Sequence, residues 1–380
     1  MKKLFYVGIF ALVCFELANV YFIMPMPFSQ RMRSIDIAYA LYTWRWAFRI
    51  VCGVLIAAGI WAVWRAGGRQ RWSAPGLLLL AGGVAYATNF RMSADHMFLA
   101  PATLNMQPAE RNSVEKTRLV VGIDINGDAR AYPIRFLGYH HQVRDSAGGR
   151  PVLVSYCTVC RTGRVFDPTV DGRPETFRLV GMDHFNAMFE DRSTGSWWRQ
   201  ANGEAMVGPK TGAVLGDIPS QQVTLAVWLA LHPNSLIMQP DSAFVDRYAK
   251  NSDFETGASR KALTGTDTVS WGEKSWVVGL TIDDESKAYD WNRLRRERII
   301  NDELGGTPLV IVLASDSASF FAYRRPDTAT RFVLRGDSLI APAGSYGLDG
   351  RGAHGVLVPL PASQEFWHSW RTFQPRTKTY

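Results

Sequence analysis

The spacing of apolar residues changes character near residue 100. Before that point they come in three long runs. Leu4 to Met24 covers 21 residues and is broken only by Glu16 and Asn19, close to the ~20 residues that carry a helix across a bilayer. Ile50 to Trp64 is shorter, with Arg45 and Arg49 placed to snorkel toward headgroups. Ala74 to Phe90 is the third run, with Gly82 and Gly83 at its centre. The pattern predicts three transmembrane helices within residues 1–100, a buried helical hairpin being the alternative for the last two. The first run exceeds the ~7–15 apolar residues of a secretion signal and has no small-residue cleavage site after it; Pro25 and Pro27 end its helix instead.

From Arg118 onward the apolar runs are short and cut by Gly, Asp, Asn and Pro. Leu119–Ile123, Pro151–Tyr156, Arg164–Phe166 and Thr176–Val180 read as strands. Ile125-Asn126-Gly127-Asp128 and Val170-Asp171-Gly172-Arg173 read as hairpin turns, since Asn-Gly and Asp-Gly accept positive φ. The clearest helical pattern is Val223 to His232, stopped by Pro233. The strand pattern also repeats. Val120-Val121-Gly122 returns 157 residues later as Val277-Val278-Gly279. At that same offset Ala131-Tyr132 meets Ala288-Tyr289, Asp145 meets Asp302, Gly148-Gly149 meets Gly305-Gly306, and Val152-Leu153-Val154 meets Leu309-Val310-Ile311. Trp228 near Pro233 is echoed more loosely by Trp370 near Pro375. The expected architecture is a mostly β (α+β) outer domain of two tandem copies, residues 115–245 and 270–380, joined by a linker at 246–269 and preceded by the anchor at 1–100.

Charge sharpens this picture. Of the net +8, residues 1–100 supply +7, from ten basic and three acidic side chains. The rest of the chain is near neutral, without the electrostatic footprint of a nucleic-acid binder. Lys2, Lys3, Arg65, Arg69 and Arg71 fall on one side of the predicted spans, against Arg31, Arg33 and Arg91 on the other. Positive-inside bias puts the N-terminus in the cytoplasm. The lipid bilayer is then the partner of residues 1–100, in a cytoplasmic (inner) membrane, with the β domain on the extracytoplasmic side.

The repeat acts as an internal control on chemistry. Cys157 falls on Ala314, Cys160 on Ser317 and His140 on Glu297. The shared fold therefore does not need these three side chains, and they point to a site in the first copy. Cys14 and Cys52 lie in the apolar anchor and read as packing residues. Three readings of Cys157-Thr158-Val159-Cys160 compete. A disulfide staple closing so small a loop stabilises little. A redox pair lacks the helix that usually activates the first thiol, because Thr162–Asp167 reads as a turn into a strand. A metal site suits a strand, Cys-x-x-Cys and a turn glycine, Gly163, and needs further ligands from elsewhere. His140 is the first candidate, brought back by the Gly148-Gly149 turn, with His141 facing the other way on an extended segment. His184 is the next, with Asp183 and Met188 near it. Sulfur with imidazole suits copper(I) or zinc.

The run Gly148–Asp167 with His140 before it resembles a bacterial family, domain of unknown function (DUF) 3179. Its typical form is a His, a Gly-Gly turn and a Tyr-Cys-Pro-x-Cys-Gly-Thr-Gly stretch. Asp191–Gly208 is similar to that family's second signature. The resemblance runs from about Arg118 to the C-terminus and implies an extracytoplasmic domain; it carries over no catalytic role. The chain departs from the pattern at Thr158, where proline is usual, and at Arg161, where glycine is usual.

Asp183, Glu190 and Asp191 form an acidic group that reads as a solvated loop, and Ser196, Trp198 and Gln200 alternate as one face of a strand. No phosphate loop, His-Glu-x-x-His or nucleophile elbow is present. The leading expectation is a membrane-anchored metal-binding protein for copper or zinc. Its ligands would be Cys157, Cys160, His140 and His184, serving metal handling or assembly of a redox enzyme beside a membrane-protein partner. The alternatives are a thiol–disulfide oxidoreductase using Cys157 and Cys160, and a non-catalytic scaffold.

Overall fold

The computed structural model describes residues 1–101 and 103–380, with the side chains of residues 69 and 70 left aside; Arg69, one of the charges used for orientation, thus lies outside the described side chains. The chain forms two compact units. One joins Met1–Leu99 to Thr176–Val214, the other Ala100–Glu175 to Leu215–Tyr380. Residues 176–214, expected inside the first β copy, therefore belong with the N-terminal unit.

In that unit the three apolar runs become helices α1 (Lys2–Tyr21), α3 (Arg45–Arg65) and α4 (Gly68–Tyr86), with a short α2 (Ile35–Thr43) and α5 (Ala94–Met97) beside them. Two helices, α1 and α3, are long and apolar enough to cross a membrane. Helix α4 covers the third run but opens on Gly-Arg-Gln-Arg and carries Pro75, so its apolar stretch is short. Phe5, Ile9, Val63, Ala74 and Ala81 form the core shared by the three. Gly59 permits the closest approach, since a methyl group there would overlap the Phe5 backbone. Glu16 is buried and answered from both other helical segments: Arg49 at 2.7 Å and Asn89 Nδ2 at 2.9 Å. A buried charge in such a bundle must be paired.

A four-stranded antiparallel meander completes this unit: Phe177–Asp183, Asn186–Asp191, Trp197–Arg199 and Ala205–Val207. It is tied to the helical part by Met182 N–H donating to Ile23 O at 2.8 Å and by the Tyr39 and Tyr42 rings on Trp197. The acidic group on these strands is not a solvated loop. Asp183 is buried on Arg199 and His184, Glu190 accepts from Arg178 and Trp197, and Asp191 accepts from Thr194 and Trp198. Ser196, Trp198 and Gln200 are all buried.

The second unit is β-rich with short helices. Both expected turns form: Asn126 (φ 55°) with Gly127 (φ 86°), and Asp171 (φ 50°) with Gly172 (φ 76°). Two parts of this unit share one pairing scheme. Gly122 pairs with Ala131 and Val121 with Tyr132; Gly279 pairs with Ala288 and Val278 with Tyr289. Asp145 faces Val152 as Asp302 faces Leu309. Tyr132 donates to Asp145 at 2.8 Å and Tyr289 to Asp302 at 2.9 Å. The loose tryptophan echo has a geometric meaning. Trp228, on α7 (Leu225–Leu231), lies on Gly122, and Trp370, on α10 (Trp367–Phe373), lies on Gly279; a methyl on either glycine would collide with the ring. Each indole N–H donates at 2.7 Å, to Ser235 and to Thr377. The remaining helices are α6 (Ile134–His140), α8 (Val245–Ala249) and α9 (Trp291–Glu297). The expected extended segment at His140-His141 is instead the end of α6, with His141 (φ 61°) as its left-handed cap.

Candidate functional site

Strand Arg150–Cys157 ends on the first thiol, and Cys160 follows in the turn before strand Thr162–Asp167. Both thiols are wholly buried and neither is in a disulfide. The strand after the motif leaves the thiols without a following helix, as expected. Arg161 takes the left-handed conformation, φ 58°, at the position where glycine is usual. It is completely buried. Its guanidinium lies 3.5 Å from the centroid of the Trp276 ring and donates to Gln364 Oε1 (2.9 Å), Phe254 O (3.0 Å) and Glu255 O (2.8 Å). The linker is therefore a strap of defined turns held by Arg161. Burial pulls that guanidinium down to about 10, against the opposing pull of Tyr156 and Glu255.

The turn between the thiols is pinned from the C-terminal half of the chain. Val159 O accepts from Lys274 Nζ at 3.0 Å and lies 3.0 Å from His368 Nε2; Cys160 O accepts from Phe366 N–H at 2.9 Å. Lys274 Nζ also donates to Leu263 O (2.8 Å) and stands 3.2 Å from His368 Nε2. Burial lowers the Lys274 ammonium, while the charges of Cys160 and Cys157 act to raise it. Burial, with Lys274 beside it, pushes His368 down to about 3, keeping the ring neutral.

Lys274 and His368 were not among the residues expected from sequence. A signal for them existed. Backbone bonds pair His368 N–H with Glu273 O and, at the corresponding place, Ala226 N–H with Lys116 O. By that correspondence Lys274 matches Thr117, and His368 matches Ala226. Four chemically active side chains thus gather at one of two similar places. The other holds Ala314, Ser317, Thr117 and Ala226.

The expected histidines are placed differently. The Gly148-Gly149 hairpin does return this segment to the motif: Gln142 pairs with Ser155, and Tyr156 N–H donates to His141 O at 2.9 Å. The buried His140 ring sets Nε2 2.7 Å from the Tyr248 hydroxyl. His141 is also buried, and burial pushes it down to about 4. His184 belongs to the other compact unit, where its Nδ1 lies 2.8 Å from Asp183. Among the described residues, no three His, Cys, Asp or Glu side chains are grouped as a metal-ligand set.

A family model described as a protein of unknown function (DUF3179) matches residues 100–377. The chain belongs to the DUF3179 family. The match covers the thiol turn, Lys274 and His368 as well as the Asp191–Gly208 signature, and leaves α1 to α5 outside it. Comparison with curated proteins and with solved structures found no match. The chemistry of this DUF3179 protein must therefore be argued from its own residues.

Proposed function

We propose that this protein is a membrane-anchored, extracytoplasmic metal-binding protein that holds copper or zinc on Cys157 and Cys160. The observation that carries the reading is a buried, reduced thiol pair on one turn, with Lys274 Nζ held 3.0 Å from the carbonyl of Val159 between the two cysteines. Thiolate is the ligand form of cysteine, and a nearby cation favours it. Two soft donors suit copper(I) better than zinc, which takes four ligands in closed sites. His140, whose Nε2 lies 2.7 Å from the Tyr248 hydroxyl, enters the proposal as a third donor. His184 is left out of this proposal, since it belongs to the other compact unit. In this reading α1, α3 and α4 are three membrane crossings and the β parts of the second unit are two copies of one module. The site then serves metal handling or redox-enzyme assembly beside a membrane-protein partner. The full chain, purified in detergent under reducing conditions, should carry about one soft metal ion. Cys157→Ser and Cys160→Ser should each lose it; full metal content in Cys157→Ser would refute the ligand assignment.

A second reading, thiol–disulfide exchange, draws on the same two neighbouring thiols, reduced and on a turn that Lys274 holds through Val159 O. It predicts an intramolecular disulfide that forms reversibly at a defined potential, with no retained metal.

A further inference from the structure

Helices α1 and α3 run antiparallel: Gly59 lies against Phe5 near one end, and Arg49 pairs with Glu16 toward the other. The first of these ends gathers Lys2, Lys3, Arg65 and Arg71, because α4 opens shortly after α3 closes. No Asp or Glu stands between Asp36 and Asp95 in the sequence. Among the described residues, the Arg65 and Arg71 side chains make no hydrogen bond or ion pair. Their guanidinium groups lie over indole rings instead. Arg65 is 4.7 Å from the Trp61 centroid; Arg71 is 4.7 Å from that of Trp64 and 5.9 Å from that of Trp72. All five side chains are exposed. A cation–π contact orients a guanidinium without neutralising it, so these pairs still call for an anion.

The surroundings say what carries that anion. The same helices present exposed apolar side chains, Ile50, Val51 and Val54 on α3 and Leu79 and Leu80 on α4. On α3 the exposed Trp46 and Trp64 stand ~27 Å apart at ~1.5 Å per residue, close to the ~30 Å hydrocarbon thickness of a bilayer. Indoles at two such levels suit its two interfaces. An anion that meets Arg65 and Arg71 at this level, with a body that covers apolar helix faces, is the phosphate of a lipid. Two cations with no carboxylate beside them favour a headgroup of net negative charge over a zwitterionic one, whose ammonium they repel.

We propose that the α3–α4 end of the anchor is a docking surface for anionic phospholipid, with Arg65 and Arg71 on the headgroup phosphate and Trp61, Trp64 and Trp72 at the headgroup level. This rests on the reading of α1, α3 and α4 as membrane crossings and names the lipid they select.

The test removes lipid from the full chain in detergent and titrates back phosphatidylglycerol or phosphatidylcholine, counting bound lipids by native mass spectrometry. The wild type should prefer phosphatidylglycerol roughly 30-fold, the scale of two basic residues at an anionic surface. Arg65→Gln with Arg71→Gln should lose most of that preference, and Arg65→Lys with Arg71→Lys should keep much of it. Either single Gln variant serves if the double one does not fold. Arg31→Gln with Arg91→Gln, at the other end of the helices, should leave the preference unchanged. No preference in the wild type, survival of the preference in the double Gln variant, an equal loss in the Arg31 and Arg91 variant, or displacement by inorganic phosphate alone would each overturn the proposal. A full chain that stays soluble without detergent and does not partition into phosphatidylcholine vesicles would instead sink the membrane reading itself.

Discussion

At the residue scale, Arg161 shows how a departure from a motif becomes a structural commitment. A non-glycine residue in the left-handed region costs roughly 1–2 kcal/mol. Here the strain is offset by a guanidinium that joins the thiol turn to the linker and to Gln364. Arg161→Gly would relieve the strain yet leave those acceptors unpaired, and Arg161→Lys would lose the fork that reaches all three. Both variants should unfold at lower urea concentration than wild type, by about 2–4 kcal/mol. Nearby, Glu255 is a buried carboxyl whose Oε1 has no hydrogen-bond partner among the described residues. Burial raises its pKa above the ordinary value, with Arg118 acting the other way. A raised carboxyl favours the folded state at low pH and weakens it as pH climbs through the folded value. Glu255→Gln should therefore be more stable than wild type at pH 7–8, with the gap closing toward and below pH 4.5; urea midpoints across that window check it. Sequence marked Arg161 as unusual. It gave no hint of the partners, because Phe254 and Gln364 lie 93 and 203 residues away.

At the element scale, the glycine–tryptophan contacts join two features that the sequence shows only separately. Gly122 and Gly279 are shared positions, and Trp228 and Trp370 a loose echo. Folding seats each ring on its glycine. Gly122→Ala and Gly279→Ala should each cost about 1–3 kcal/mol or more, by overpacking, and similar losses at the two places would be the signature of a common design. Calorimetry or denaturant unfolding distinguishes this from a loss at one place only. The strands and hairpins were legible because alternation and Asn-Gly or Asp-Gly turns are local signals. Helix α6 was not: seven residues, six of them buried, leave no polar face to reveal a 3.6-residue period. That is why His140 and His141, which an extended chain would send to opposite faces, are both buried at a helix end.

At the scale of the whole molecule, residues 176–214 decide what can be separated. Their sheet shares a compact unit with residues 1–99 and meets it through Ile23, Tyr39 and Tyr42. A chain begun at residue 100 would uncover Met182 N–H, Gly181 and the Trp197 ring. Protease should cut such a truncated protein within 176–214 well before it cuts the full chain in detergent, and equal resistance would show that this sheet stands alone. The sequence by itself determined the apolar helices at the front, the β character of the rest, the recurring strand pattern and the thiol pair. Each of these is written in neighbouring residues or in a fixed offset. Only the tertiary structure decided that a stretch inside the family match packs with the N-terminal helices. Only it brought Lys274 and His368 to the turn that carries Cys157 and Cys160. Both depend on contacts between segments far apart in the chain, which burial and charge pairing select and local pattern does not record.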